Sequence, residues 1–161
     1  MEFNFINVGI ADLKVGGEKD LLRTILGSCV AICLYDKYNL IGGMSHILLP
    51  ESVKDLSMPK KYANMAIPML IDEMIEHGAD YNNLTAKLAG GAQMFAFSKT
   101  CVPIISQIGE SNIKKVKEIL DDLNIDIMAE DLGGDFGRTV DFFVNSGTVI
   151  VKSVNRPDKI I

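Results

Sequence analysis

Short apolar runs broken by turn residues recur along almost the whole chain, and only two stretches show helical spacing, which confines the fold to a β-rich domain with few helices. Strands are expected near 4–10, 22–26, 29–35, 40–48, 84–89, 103–108, 125–130, 138–144 and 148–154. The last pair is the clearest, because two alternating runs flank Asn145-Ser146-Gly147, a tight hairpin signal. One helix is expected over 59–77, where Tyr62, Met65, Ala66, Met69 and Leu70 recur at helical spacing, with Gly78 as its C-terminal cap. Pro68 inside it should kink the helix or shift its start. A second is expected over 112–123, where Ile113, Val116, Ile119, Leu120 and Leu123 make one apolar stripe behind Ser111 or Asn112 as cap. Strands that do not alternate one for one with helices point to an α+β domain, its helices gathered on one side of packed sheets.

Length and charge narrow the function. A chain of 161 residues is the usual size of one domain, and no repeat, low-complexity tract or linker divides residues 1–161. A net charge of -5 with a pI near 5.0 argues against nucleic acid, since phosphate binding needs a concentrated basic surface. Lys60-Lys61 and Lys114 to Lys117 read as solvated helix faces. The longest apolar run, Val30 to Tyr35, is strand-sized, so no membrane insertion is expected. The start Met-Glu-Phe-Asn-Phe lacks a basic region and an apolar secretory core, and three cysteines form an odd set. Reduced thiols in the cytoplasm follow.

Chemistry concentrates in the first third. In Gly27-Ser28-Cys29 a glycine and a small residue let the backbone turn sharply and leave the Cys29 thiol reachable by a substrate carbonyl. Backbone N–H groups around Gly27 and Ser28 are candidates to face a developing oxyanion. His46 follows in a second glycine-rich segment, and one strand with a short turn would return it beside Cys29. An imidazole beside a thiol can hold it as the thiolate and later protonate leaving ammonia. Thr24, Ser45 and Asn39 are candidates to orient the second ring nitrogen. The competing reading of each residue is plain packing: Cys33 is expected in the core, Cys101 at a loop-to-strand junction, and His77 at a helix C-terminus, where a cation suits the exposed carbonyls. The Cys29/Cys33 spacing does not match a zinc pattern, so no metal is expected. Gly90-Gly91 and Gly133-Gly134 with Gly137 supply turns and lack the Lys-Ser/Thr of a phosphate loop. Arg138 is expected to pair with Glu130 or Asp131, and Met94 and Phe95 to pack in the core.

Six blocks carry a resemblance: Leu26 to Ala31, Gly43 to Pro50, Lys61 to Ala63, Ala86 to Phe95, Ile108 to Asn112, and Ala129 to Gly134 with Gly137-Arg138. In order and over nearly the whole chain they resemble the chemoreceptor glutamine deamidase family CheD. That resemblance implies a protein-glutamine glutaminase of bacterial or archaeal chemotaxis, a thiol hydrolase that converts receptor glutamines to glutamates without a cofactor. It implies a single domain over residues 1–161, a layered α/β/β sandwich with two main helices covering packed β-sheets, similar to the deamidating cytotoxic necrotizing factor toxins. It implies a catalytic cysteine, histidine and threonine, which carry over to Cys29, His46 and Thr24. The family threonine can lie six positions before the cysteine, where this chain has Arg23; Thr24 lies five before, and a one-residue shift reverses the face of a strand. Implied partners are the cytoplasmic helices of methyl-accepting chemoreceptors and the phosphatase CheC. An alternative role is a regulatory binding subunit of CheC; a general thiol peptidase lacks any papain-type motif here.

Overall fold

The computed structural model describes residues 1–54, 56–94 and 107–161. Its elements run β1 (Asn4–Asn7), β2 (Asp12–Gly16), β3 (Asp20–Leu26), β4 (Val30–Asp36), β5 (Ile41–Ile47), α1 (Ala63–Glu76), β6 (Thr85–Gly90), α2 (Ile108–Asp122), β7 (Asp126–Leu132), β8 (Arg138–Phe143), β9 (Thr148–Lys152) and β10 (Lys159–Ile160). They form two mixed sheets of five strands, one in the order β1-β3-β8-β9-β10 and one in the order β2-β5-β4-β6-β7.

Alternation along β4 explains the layers. Val30, Ile32 and Leu34 join Leu13, Ile47 and the α1 residues Ala63, Ala66, Ile67 and Leu70 in one core, which Val116 and Leu120 of α2 complete. One residue along, Cys29, Ala31 and Cys33 join Met44, Ala89, Leu22, Leu26, Val140 and Phe142 in a second core between the sheets. A strand covered on both faces reads as a continuous apolar run, as Val30 to Leu34 does. Two glycines of β5 let the neighbouring layers close from opposite sides. A Cβ at Gly42 would stand 2.8 Å from the Phe142 ring, and one at Gly43 2.7 Å from Leu70 Cδ1. The α/β/β layering and the α+β class match the expectation.

Several boundaries differ. Residues Pro59–Lys61 form a separate single turn, and Tyr62 is extended because it bridges to Leu49, so α1 begins at Ala63. The buried stripe of α1 is Ala63, Ala66, Ile67, Leu70, Ile71 and Met74; Met65 and Met69 lie beside it, and Pro68 faces solvent. Gly78 does end the helix in the left-handed region, at φ +103. Helix α2 starts four residues earlier than expected, with Gln107 and not Ser111 or Asn112 as cap. Gly109 makes this possible, since any Cβ there would strike the carbonyls of Gly91 and Ala92. Strands β2 and β10 were not expected, being too short or too weakly alternating to read. Residues 103–106 of an expected strand lie outside the described residues, as do Phe95 and Cys101; Ile108 already belongs to α2. Met94 is 44% exposed and not core, its side chain lying against Gly27.

Candidate active site

The link Gly27-Ser28-Cys29 carries the chain from the end of β3 in one sheet to the start of β4 in the other. Its three successive carbonyls are all held. Gly27 O accepts from Ala92 N–H at 3.0 Å and Cys29 O from Gly91 N–H at 2.8 Å. Ser28 O accepts from Asn112 Nδ2 at 3.2 Å. Gly90, at φ +113, allows this approach, because a side chain there would collide with Cys29 O. The Cys29 side chain lies on the inter-sheet face of β4, 6% exposed.

His46 sits on β5 directly opposite Ala31 of β4, so its ring enters the same inter-sheet layer. Across that layer Thr24, on the inward face of β3, places Oγ1 2.7 Å from His46 Nδ1 and 2.7 Å from Val8 O. A carbonyl only accepts, so the single Thr24 hydroxyl proton goes to Val8 O. Thr24 Oγ1 must then accept from His46, which fixes the proton of the neutral ring on Nδ1. Nε2 is left as the free base, buried and without a hydrogen-bond partner among the described residues. Burial pushes the His46 pKa below its ordinary value, against a smaller upward pull from the Val8 backbone. The ring is therefore neutral at neutral pH.

The thiol differs from the expected thiolate. Burial pushes the Cys29 pKa up, and only its own backbone N–H opposes this. Because Nε2 has no partner, no thiol–imidazole hydrogen bond lowers it in this structure. Two neutral groups on one face, a thiol and an imidazole with a bare nitrogen, fit concerted proton removal during attack better than a standing ion pair.

The other candidates separate cleanly. Arg23 points to the opposite face from Thr24 and pairs with the buried Asp141. Ser45 is buried on the helix side of β5 with its hydroxyl unpartnered among the described residues, and Asn39 bonds Asp36, so neither orients His46. His77 caps α1, its Nδ1 donating to Glu73 O at 2.8 Å. Cys33 is core, its thiol pushed up to about 12 by burial. Arg138 pairs with Asp131, while Glu130 bonds Lys117 instead. Gly27 lies beneath Met94. Sequence reasoning missed Val8, whose role is a backbone oxygen and leaves no residue signal, and Asn112, which it read as a helix cap. A depression of about 270 Å³ lined by Val8, Ile10, Arg23, Thr24, Ile25 and His46 opens on the Nδ1 side of the ring. Among the described residues no helix is long and apolar enough to cross a membrane.

Comparison with known proteins adds a family. Residues 48–153 match the family model described as CheD chemotactic sensory transduction, a span that begins just past His46. A curated relative from Clostridium botulinum (strain Hall), named probable chemoreceptor glutamine deamidase CheD, is 46% identical over 157 residues, 96% of each chain. One from Desulforamulus reducens with the same name is 46% identical over 159 residues, 97% of this chain and 95% of its own. Among solved structures, Neisseria meningitidis protein NMB0706, of DUF152, matches with a TM-score of 0.49 at 10% identity, over 83% of this chain and 63% of that one. Bacillus licheniformis hypothetical protein YfiH matches with a TM-score of 0.42 at 12% identity, over 81% and 59%. This chain thus spans under two thirds of both structural neighbours.

Proposed function

Since this chain belongs to the CheD family, we propose that it is a chemoreceptor glutamine deamidase in which Cys29 is the nucleophile, His46 the base and Thr24 the residue that orients it. The observation that carries the reading is the fixed tautomer of His46. Thr24 and Val8 commit Nδ1 to donating, and the bare Nε2 lies in the same inter-sheet layer as the Cys29 thiol.

In the first step Cys29 Sγ bonds the carboxamide carbon of a receptor glutamine while its proton passes to His46 Nε2. The carbonyl oxygen becomes the oxyanion, with backbone N–H groups around Ser28 and Cys29 as its donors. Collapse expels the nitrogen, which takes the Nε2 proton and leaves as ammonia, giving a thioester. Water then loses a proton to Nε2 and attacks the thioester carbon; the proton returns to sulfur as glutamate is released. The chemistry needs no cofactor, and the Thr24–His46 bond keeps Nε2 as acceptor before each transfer.

Within this reading the enzyme works in the cytoplasm on the helices of methyl-accepting chemoreceptors and does not bind nucleic acid or insert into membrane. Fold kinship with the deamidating cytotoxic necrotizing factor toxins belongs to the same reading. CheC would use the same pocket, so a pull-down with Cys29→Ala separates association from chemistry. The deciding test is mass spectrometry of a receptor cytoplasmic fragment incubated with wild type and with Cys29→Ala. Amide-to-acid conversion is expected with the wild type alone; no conversion by the wild type, or equal conversion by both, sinks the reading.

A further inference from the structure

The oxyanion donors of the proposed deamidase depend on which way the Ser28–Cys29 peptide faces, and one side chain controls that. Of the three clamped carbonyls in the nucleophile loop, Gly27 O and Cys29 O are held by the backbone N–H groups of Ala92 and Gly91. Ser28 O is held by a side chain, the Nδ2 of Asn112 at 3.2 Å. The same Nδ2 donates to Leu48 O at 3.0 Å, two residues beyond His46. One carboxamide therefore ties the loop carrying Cys29 to the strand carrying His46. Both acceptors are carbonyls, which requires the NH2 end of Asn112 to face them and settles the amide orientation.

The remaining atom shows that those two bonds are what the side chain is there to make. Asn112 is fully buried, and its Oδ1 has no hydrogen-bond partner among the described residues. Burying an unpaired acceptor opposes folding, so what keeps the side chain here is the pair of bonds it gives to Ser28 O and Leu48 O. Peptide geometry shows what the first of these bonds does. A trans peptide is planar with its N–H opposite its C=O, so drawing Ser28 O toward α2 aims the Cys29 N–H away from α2. Among the described residues the Cys29 N–H donates to no backbone carbonyl. It lies against its own sulfur, beside the carbonyl carbon which that sulfur attacks and so within reach of the substrate oxygen that becomes negative.

We propose that Asn112 is a positioning residue for the deamidation, holding the Ser28–Cys29 peptide so that the Cys29 N–H faces the oxyanion. It rests on the deamidase reading. It is tested in the full chain with Asn112→Asp, near-isosteric but unable to donate both bonds, and Asn112→Ala, either of which suffices if the other does not fold. Ammonia release from a receptor cytoplasmic fragment gives kcat and KM, and iodoacetamide gives the alkylation rate of Cys29, a reaction with no oxyanion. The expected result is a kcat lower by about 10²–10³-fold with KM little changed, the loss of one oxyanion donor, while the alkylation rate and its pH dependence stay at wild-type values. Wild-type kcat in a folded variant overturns the proposal. So does a fall in alkylation equal to the fall in kcat, or misfolding of both variants, each of which makes Asn112 a support of the loop and not of the transition state. Cys29→Ala run alongside separates the two levels: activity in that variant defeats the deamidase reading and this inference with it, whereas an inactive Cys29→Ala beside fully active Asn112 variants defeats this inference alone.

Discussion

On the helix side of β4 and β5, Val30, Ile32, Leu34 and Ile47 meet α1 and α2 in an almost wholly apolar core. On the other side, one residue along the same strands, Cys29, Ala31, Cys33, Met44 and His46 face the second sheet, where Thr24 lies buried among Leu22, Leu26 and Val140. The period of two puts the core under the helices on one face of these strands and the candidate site, set in a second core, on the other. The helix layer can then hold β4 and β5 rigid without contributing a reacting atom, and the inter-sheet layer supplies the low-dielectric setting in which a neutral thiol and imidazole are stable at rest.

The largest effect is expected from Cys29→Ser set beside Cys33→Ser, two equal changes on the inter-sheet face. The first is expected to lower kcat by about 10⁴-fold or more, as loss of a nucleophile does, and the second to leave kcat unchanged while lowering the melting temperature. If both lose activity alike, the loss is structural and Cys29 is not set apart from the core around it. Next, His46→Gln should cost about 10²–10⁴-fold in kcat, the range for general acid–base groups. Its pH behaviour carries a sign. Burial lowers the folded-state pKa, so the wild-type acid limb of kcat/KM should fall below the ordinary histidine value of 6.5. The unfolded chain takes that proton more readily, so the stability associated with neutral His46 is complete above the unfolded pKa and is lost as pH falls through the folded one; denaturation across pH should show that slope diminished in His46→Gln.

A smaller effect is expected from Thr24→Val, which keeps the shape and removes the acceptor for Nδ1–H. Loss of a hydrogen bond of about 1–3 kcal/mol corresponds to about 5- to 150-fold in kcat, and Thr24→Ser should restore most of it. Full activity in Thr24→Val would place the orientation of His46 elsewhere. The smallest catalytic effect belongs to the helix face. Met74→Ala should destabilise the fold by about 2–5 kcal/mol, read by urea denaturation, and leave kcat unchanged well below the melting temperature. A change in kcat comparable to that of Thr24→Val would show that the two faces are coupled.

These outcomes also mark what could be read along the chain. The β-rich class, the strand Val30 to Tyr35 buried on both faces and the turn at Asn145 to Gly147 follow from local rules that need no partner, and so does the glycine after α1. The start of α1 did not follow, because Tyr62 pairs with Leu49, a contact that spacing within 59–77 does not encode. The start of α2 was hidden for a similar reason: Gly109 reads as a breaker until Gly91 and Ala92 are seen pressed against it.

The amino-acid sequence by itself determined the family and singled out Cys29 and His46 as candidates, because residue identity and order alone carry those. Tertiary structure decided everything that depends on facing direction. It put Thr24, and not Arg23, Ser45 or Asn39, against Nδ1, and used the Val8 carbonyl to settle the tautomer. It turned Asn112 from a helix cap into a clamp on the loop that carries Cys29. It also buried the thiol, which favours its neutral form, where spacing suggested a thiolate. The physical reason is common to all of these: hydrogen-bond partners and desolvation are set by which strand faces meet across the inter-sheet layer, and a one-residue register difference is enough to exchange them.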